Sequence, residues 1–299
     1  MFKWILSSLV IFWASDVFAK VNIVTTTADL AAVARDVVQD LGDVQAIAAP
    51  NQDVHYVDAK PSFTLLLNKA DILVANGLEL EIGWLPALIE NARNPKIAPG
   101  GAGYLDASTA IQPLHVHAKV DRAKGDIHPG GNPHYMHDPR AAADVALVLG
   151  AKLAQIDPKH AADYRLNAAR AAEAYRELAK SLRARVEALP KEKQQIVAYH
   201  DSLVYILDWL GLTQVATLEP RPGIAPNPSH IASVLKTSRE AGVKVIVQEE
   251  YYPRKTSETL AQLLPANLVL LPGGARSNES YEARIKRGID EVLKHLEAP

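Results

Sequence analysis

Three histidines that follow predicted strands or turns are the strongest candidates for metal chemistry in this sequence. His55 comes after a turn containing Pro50 and Asn51, His134 ends a Gly-Gly-Asn-Pro-His run, and His200 directly follows a β-branched segment. Three neutral imidazoles can hold Zn²⁺ tetrahedrally at about 2.0–2.1 Å and leave a fourth position for a carboxylate or water. No local signature such as His-Glu-x-x-His is present, so spacing alone also fits core or surface histidines.

A carboxylate pair offers an oxygen ligand for the fourth position. Glu249 and Glu250 end a predicted strand at residues 243–248. In open α/β sheets, ligands bind outside the carboxyl ends of the strands, so either glutamate is suitably placed. An ion pair with the nearby Arg254 is an equally good interpretation of the same residues.

The elements that must position these side chains alternate between strands and helices in both halves of the chain. This alternation predicts parallel βαβ units. Strands are predicted at residues 21–25, 43–48, 71–75, 195–199, 243–248 and 268–271. Helices are predicted at residues 29–41, 61–68, 140–155, 201–210 and 281–296.

Two further segments define the domain organisation. Residues 99–139 are rich in Gly, Pro and His without a sustained period, which is typical of a functional loop. Residues 158–190 read as one long helix, with Asp157 as its cap and Pro158 at its first position. We therefore predict an N-terminal α/β lobe at residues 20–157, a rigid linking helix at 158–190, and a C-terminal α/β lobe at 191–299.

The N-terminal residues 1–19 have the layout of a secretory signal peptide, with Lys3, an apolar run, and Val-Phe-Ala before a cleavage point near Ala19. Cysteine is absent from the sequence, which excludes disulfides, thiolate ligands and a lipid on an N-terminal cysteine. The formal net charge of −2 gives no basic face for nucleic acid. We expect a freely diffusing periplasmic protein whose metal ligands are His, Asp and Glu.

Several segments resemble the metal-binding subunits of zinc and manganese ABC importers, the cluster A-I substrate-binding proteins. The matching segments are HYVDAKPS at 55–62, GNPHYMHDP at 131–139, YHDS at 199–202, WLGL at 209–212, EPRPGI at 219–224, PSH at 228–230 and EEYYP at 249–253. The resemblance implies two (β/α) lobes with mainly parallel sheets, a rigid linking helix, and a metal site in the interlobe cleft. It also implies a transport protein, not an enzyme, which delivers its ion to a membrane permease.

The resemblance implies His55, His134 and His200 as the ligands, and the histidine at the third position favours zinc over manganese. Many relatives take a fourth ligand from an aspartate in the last strand-to-helix turn, but residues 271–276 contain no carboxylate. We therefore rank Glu249 first for that place, ahead of a water or an open position. His128 is the best candidate for an accessory ligand.

The remaining site residues are predicted as follows. Asp58, Asp138 and Asp201 are expected to orient the imidazoles, His137 to face solvent, His115 and His117 to lie in a solvated loop, and His160, His230 and His295 to be structural. The resulting hypothesis is a monomeric, periplasmic, high-affinity Zn²⁺-binding protein that serves the membrane permease of an ABC importer, with a periplasmic metallochaperone as a second partner. A manganese or iron binder of the same class is the first alternative, and a secreted zinc hydrolase the second.

Overall fold

The computed structural model describes residues 20–116 and 128–298. Within these residues, two four-stranded sheets are formed, with strand orders β2-β1-β3-β4 and β6-β5-β7-β8. All the strand pairs are parallel. The strands are β1 Val21–Thr25, β2 Gly42–Ala46, β3 Ile72–Ala75, β4 Tyr104–Asp106, β5 Gln195–Ala198, β6 Thr213–Thr217, β7 Val245–Glu249 and β8 Asn267–Leu271.

Helices cover both faces of the sheets. They are α1 Ala28–Val38, α2 Pro61–Asn68, α3 Leu85–Ala92, α4 Pro139–Ile156, α5 Ala161–Glu187, α6 Val204–Leu210, α7 Pro228–Glu240, α8 Lys255–Leu263 and α9 Tyr281–Glu297. The central strands β3 and β7 are buried along their whole length, as parallel strands covered by helices on both sides must be. The predicted fold class, two α/β lobes with parallel sheets, is confirmed.

The two lobes share one topology, in which the first and third strands of each sheet lie at its centre. The chain leaves these two strands in opposite directions across the sheet, so their carboxyl ends border a crevice where ligands bind. In the N-terminal lobe this switch point lies between β1 and β3, and in the C-terminal lobe between β5 and β7. His200, two residues after β5, is therefore at a switch point.

The long helix α5 joins the lobes. It packs against α4 and α1 of the N-terminal lobe and against α6 and α9 of the C-terminal lobe. One continuous hydrophobic core includes residues from both sheets and from α5, so the lobes are fixed to each other by packing as well as by the chain. The division of the chain at residues 157 and 190 remains a prediction.

The start of the long helix differs from the prediction. Residues Pro158–His160 form a 3₁₀ turn, and the α-helix begins at Ala161. Asp157 precedes this 3₁₀ turn, and its Oδ2 accepts hydrogen bonds from His160 Nδ1 at 2.6 Å and from the Tyr164 hydroxyl at 2.8 Å.

The predicted strands and helices are all present, with bounds that differ by a few residues. Five further elements, α3, α7, α8, β4 and β6, have no counterpart among the predictions. Within the described residues, no helix is both long and apolar enough to cross a membrane. The predicted signal peptide at residues 1–19 lies outside the described residues.

Candidate metal centre

Three of the predicted ligands meet between the lobes. The ring centres of His55 and His134 are 5.3 Å apart, those of His134 and His200 are 5.7 Å apart, and those of His55 and His200 are 6.2 Å apart. His128 joins the group, with its ring centre 5.4 Å from that of His55. Residues from distant parts of the sequence thus form one cluster of imidazoles.

The spacing of the three rings is close to that of a tetrahedral zinc site. With Zn–N bonds of about 2.0–2.1 Å, the ring centres of two histidine ligands lie roughly 5.2 Å apart. Across residues 20–116 and 128–298, no group of three or more His, Asp or Glu side chains is already arranged to hold a metal ion. The rings of His134 and His200, and those of His55 and His200, must therefore close by about 1 Å or less to share one ion.

Carboxylates orient two of the imidazoles. His55 donates from Nδ1 to Asp53 Oδ1 over 2.8 Å, and His200 donates from Nδ1 to Glu219 Oε2 over 2.7 Å. A carboxylate can only accept, so the proton of each neutral ring is on Nδ1 and the lone pair is on Nε2. A carboxylate on the outer nitrogen is the usual partner of a metal-binding histidine.

The loop that carries His134 needs its glycine. Gly131 has φ +113°, a conformation that favours glycine, and a Cβ there would lie 2.5 Å from Pro113 Cβ. Asn132 then crosses to the C-terminal lobe, where its Nδ2 donates to the Asp201 carbonyl over 2.6 Å. Its Oδ1 accepts from the His134 N–H at 3.0 Å. One side chain thereby sets His134 beside the His200 segment.

The turn after His134 is fixed to both lobes by buried hydrogen bonds. The Tyr135 hydroxyl donates to the Asn76 carbonyl over 2.6 Å in the N-terminal lobe. In the C-terminal lobe, Trp209 Nε1 donates to the His137 carbonyl at 3.0 Å, and the Tyr281 hydroxyl donates to the carbonyl of Met136 at 2.9 Å. These contacts hold His134 on a rigid support.

The electrostatics of the cluster favour neutral rings at His134. Its pKa lies well below the ordinary histidine value, because burial disfavours the charged form and the neighbouring imidazoles, His55 foremost, add to the effect. At His200, burial also opposes protonation, but the hydrogen bond and the charge of Glu219 outweigh it and raise the pKa. Of these two rings, His200 is therefore the one at which protons compete more strongly with the metal.

Glu249 is 1% exposed at the end of β7. Neither of its carboxylate oxygens accepts a hydrogen bond of regular geometry, although an interaction with the Ser202 hydroxyl partly offsets the effect of burial on its pKa. Burial raises its pKa. Its Oε1 lies 3.9 Å from His137 Nε2. Among the described residues, Glu249 forms no ion pair with Arg254. A buried acceptor is therefore left near the cluster.

The prediction that His137 faces solvent is wrong. His137 is 7% exposed, and its Nδ1 accepts a hydrogen bond from Arg284 Nη2 at 2.9 Å. Arg284 in turn forms an ion pair of 3.2 Å with Asp29, whose Oδ1 accepts from the Ala275 N–H at 2.8 Å. A buried polar network therefore connects α1 of the N-terminal lobe to α9 of the C-terminal lobe.

The carboxylates that orient the rings differ from those predicted. Asp138 caps α4 and pairs with Arg140, and Asp58 is exposed. Asp201 faces the exposed His115, whose Nδ1 lies 3.4 Å from its Oδ2. The sequence signals that could have identified the true partners are the Asp53-x-His55 spacing and the place of Glu219 two residues after β6, the strand beside β5.

The other histidines lie outside the cluster or outside the described residues. His230 donates to the Thr217 carbonyl over 2.9 Å, as expected of a structural residue. His160 pairs with Asp157 and His295 with Glu291, which also agrees with structural roles. His117 is not among the described residues.

A cavity of about 50 Å³ adjoins the cluster and is bordered by His55, His134, His137, Asp29 and Tyr251, among others. Roughly 10–15 Å³ of such volume holds one water molecule. The cavity therefore has room for a small ion with a few waters but not for an organic substrate. Its size and its donors suit a metal cation.

Comparison with known proteins agrees with this geometry. The sequence profile of the family described as "Zinc-uptake complex component A periplasmic" (ZnuA) matches residues 23–294. The chain belongs to this family. It is accordingly a metal-binding, substrate-binding protein of an ABC importer, and the family consists of transport proteins, not enzymes.

Relatives carry different metals in their names. The chain is 24% identical over 248 residues to "Iron-binding protein YfeA" of Yersinia pestis, covering 83% of this chain and 75% of the relative. It is 22% identical over 288 residues to "Manganese ABC transporter substrate-binding lipoprotein PsaA" of Streptococcus pneumoniae, covering 93% and 89%. It is 24% identical over 256 residues to "High-affinity zinc uptake system protein ZnuA" of Bacillus subtilis, covering 84% and 78%.

The fold comparison gives the same architecture. A solved structure described as "Crystal structure of ZnuA" superposes with a TM-score of 0.79 at 21% identity, covering 93% of this chain and all of the other. At this identity, the likeness establishes the fold. The family profile confirms the predicted family and the prediction that the protein is not an enzyme, whereas the metal it carries is left to the chemistry of the site.

Proposed function

We propose that this protein is a periplasmic, high-affinity Zn²⁺-binding protein that delivers the ion to an ABC importer. The observation that carries the proposal is the convergence of His55, His134 and His200, with ring centres 5.3–6.2 Å apart. The carboxylates on Nδ1 of His55 and His200 leave Nε2 of each ring as the metal-binding atom. Zn²⁺ accepts such a set of imidazoles at an interlobe site.

The donor set distinguishes zinc from manganese, the metal named for several of the relatives. Imidazole nitrogen suits Zn²⁺, whereas Mn²⁺ prefers carboxylate, carbonyl and water oxygens. Three of the proposed ligands are imidazoles, and the nearby carboxylate of Glu249 is buried with its pKa raised by burial. This majority of nitrogen donors supports zinc over manganese.

Export and the partners complete the proposal. Residues 1–19 act as a signal peptide cleaved near Ala19, and the mature chain diffuses in the periplasm as a monomer. The membrane permease of an ABC importer receives the ion, and a periplasmic metallochaperone is a second proposed partner. The domain boundaries at residues 157 and 190 belong to the same proposal.

Calorimetric titration of the metal-free mature protein with Zn²⁺ tests the function. We expect about one equivalent to bind with a submicromolar dissociation constant, and His134→Ala to abolish this binding. The matched control is His230→Ala, because that ring bonds the Thr217 carbonyl outside the cluster. Mn²⁺ in about tenfold excess over protein should leave the zinc isotherm unchanged. A competing ion of similar affinity would weaken the apparent zinc binding at that excess.

Zinc binding that survives His134→Ala would overturn the proposed site. Displacement of zinc by Mn²⁺ would favour the manganese alternative instead. The hydrolase alternative falls with the family assignment, since the family consists of transport proteins.

A further inference from the structure

His128 lies against the nitrogen of His55 that is proposed to bind the metal. Its Nε2 is 3.3 Å from Nε2 of His55, and the two ring centres are 5.4 Å apart. The backbone supports this position, because the Gly131 N–H donates to the His128 carbonyl over 3.2 Å. The tight turn that presents His134 therefore also presents His128.

The identity of the facing atoms shows what this contact does. His55 holds its proton on Nδ1, against Asp53 Oδ1, so its Nε2 presents a lone pair. His128 must then supply the proton in the contact between the two Nε2 atoms. In the metal-free protein, a neutral N–H···N hydrogen bond thus holds the two Nε2 atoms facing each other.

The length of this contact matches a metal site. In a tetrahedron with Zn–N bonds of about 2.0–2.1 Å, two ligand nitrogens lie roughly 3.3–3.4 Å apart. The separation of 3.3 Å between His55 and His128 already has this value. An ion can therefore replace the hydrogen bond without separating the two rings.

The competing fourth ligand, Glu249, faces another residue. Its Oε1 lies 3.9 Å from His137 Nε2, and Arg284 donates to the other nitrogen of that ring at 2.9 Å. His137 consequently carries its proton on Nε2 and presents an N–H toward Glu249. The carboxylate thus has a neighbouring donor on the His137 side, whereas Nε2 of His128 faces Nε2 of His55.

We propose that His128 is the fourth ligand of the bound ion, in place of Glu249, so that four imidazoles hold it. This inference rests on the proposed function. On binding, the Nε2 proton of His128 is lost to solvent and the Nε2 lone pair bonds the ion.

Four nitrogen ligands make the site selective. A site without a carboxylate favours Zn²⁺ over Mn²⁺, because Mn²⁺ prefers oxygen ligands. His128 therefore determines metal specificity as well as affinity. Its removal opens one coordination position to water, which lowers the preference for zinc.

Zinc K-edge X-ray absorption of the zinc-loaded protein counts the imidazoles directly. We expect four in the wild type and in Glu249→Gln, and three in His128→Ala. The matched control is His115→Ala, because His115 belongs to the same region of the chain and its Nδ1 faces Asp201. That variant should keep all four.

Zinc affinity gives a second readout on the same variants. Since loss of an outer-shell partner alone costs about 10–100-fold, loss of His128 should weaken binding at least about tenfold. His115→Ala should bind as the wild type does. The ratio of Zn²⁺ to Mn²⁺ affinity should fall in His128→Ala and remain unchanged in the control.

Three imidazoles and one oxygen in the wild type, with the oxygen lost in Glu249→Gln, would overturn the inference while leaving the proposed function intact. Zinc that binds without dependence on His134 would overturn the proposed function itself. The wild-type ligand count needs no variant, so a folding defect in His128→Ala would not remove the test.

Discussion

The two lobes repeat one strand order but position their histidines by different means. In the N-terminal lobe, His55 and its carboxylate partner Asp53 are two residues apart in one loop, and the Asp53 side chain is 26% exposed. In the C-terminal lobe, His200 and Glu219 come from the ends of the neighbouring strands β5 and β6, and the Glu219 side chain is 8% exposed. One histidine is oriented by a local turn and the other by the sheet.

This difference shows where the rigidity of the site comes from. Glu219 also accepts from the Gly223 N–H at 2.9 Å, so the carboxylate itself is held before it holds His200. Asp53 accepts from both the backbone N–H and the ring of His55. Burial alone would raise the pKa of Asp53, but these hydrogen bonds lower it below the ordinary value. The N-terminal pair is thus stable locally, while the C-terminal pair depends on the fold.

The largest expected effect concerns the contact between the lobes. Arg284 of α9 is the buried cation, and Asp29 of α1 is its anion. Arg284→Met should lower the free energy of unfolding by about 3–5 kcal/mol, because it leaves a buried carboxylate unpaired. Urea denaturation of the metal-free protein measures this loss.

Arg287→Met is the control for that experiment. Arg287 lies one turn away on α9 and pairs with Glu279 at 2.8 Å, but its side chain is 27% exposed. A partly exposed pair contributes about 1 kcal/mol or less. Equal losses in the two variants would mean that the interlobe pair has no special role.

The next effect concerns the C-terminal ligand. Glu219→Ala should weaken zinc binding by about 10–100-fold, because it frees the ring of His200 and removes the carboxylate that makes it a stronger donor. Calorimetry of the metal-free variant measures the change. Wild-type affinity in this variant would show that packing alone positions His200.

Much of the fold and part of the site were predictable from local patterns. Hydrophobic runs such as residues 71–75 and the Ala-rich helix after Pro158 declare themselves in sequence. Strands as short as β4, Tyr104–Asp106, span too few residues for a period, and β6 is only partly buried along its length. Their place in the sheet comes from tertiary pairing.

The ligand partners show the same limit. His55, His134 and His200 were predicted from turn and strand-end positions together with a family resemblance. Glu219 is 19 residues from His200, and only the adjacency of β5 and β6 brings the two together. The prediction for His137 was wrong because its hydrogen-bond partner, Arg284, is 147 residues away and cannot be identified from local sequence.

A smaller effect is expected at the N-terminal ligand. Asp53→Ala should weaken zinc binding by less than about tenfold, because water can replace a partly exposed carboxylate at the Nδ1–H of His55. The comparison with Glu219→Ala, in the same titration, is the direct test of the difference between the lobes. A larger loss in Asp53→Ala than in Glu219→Ala would reverse it.

The smallest effect is a shift in pH dependence. Glu219 raises the pKa of His200 despite the opposing effect of burial. On acidification, His200 therefore takes up a proton at a higher pH than a histidine with the ordinary pKa of about 6.5. Zinc requires the neutral ring. As the pH is lowered, zinc affinity should therefore already begin to fall before the pH reaches about 6.5. Glu219→Gln removes the charge and lowers the pKa of His200, so the decline in zinc affinity should begin at a lower pH in this variant. Apparent dissociation constants measured between about pH 5 and 8 in both proteins test the sign. Coincident curves would mean that a group other than His200 takes up the competing proton, and that the sheet orients this ligand without setting its protonation.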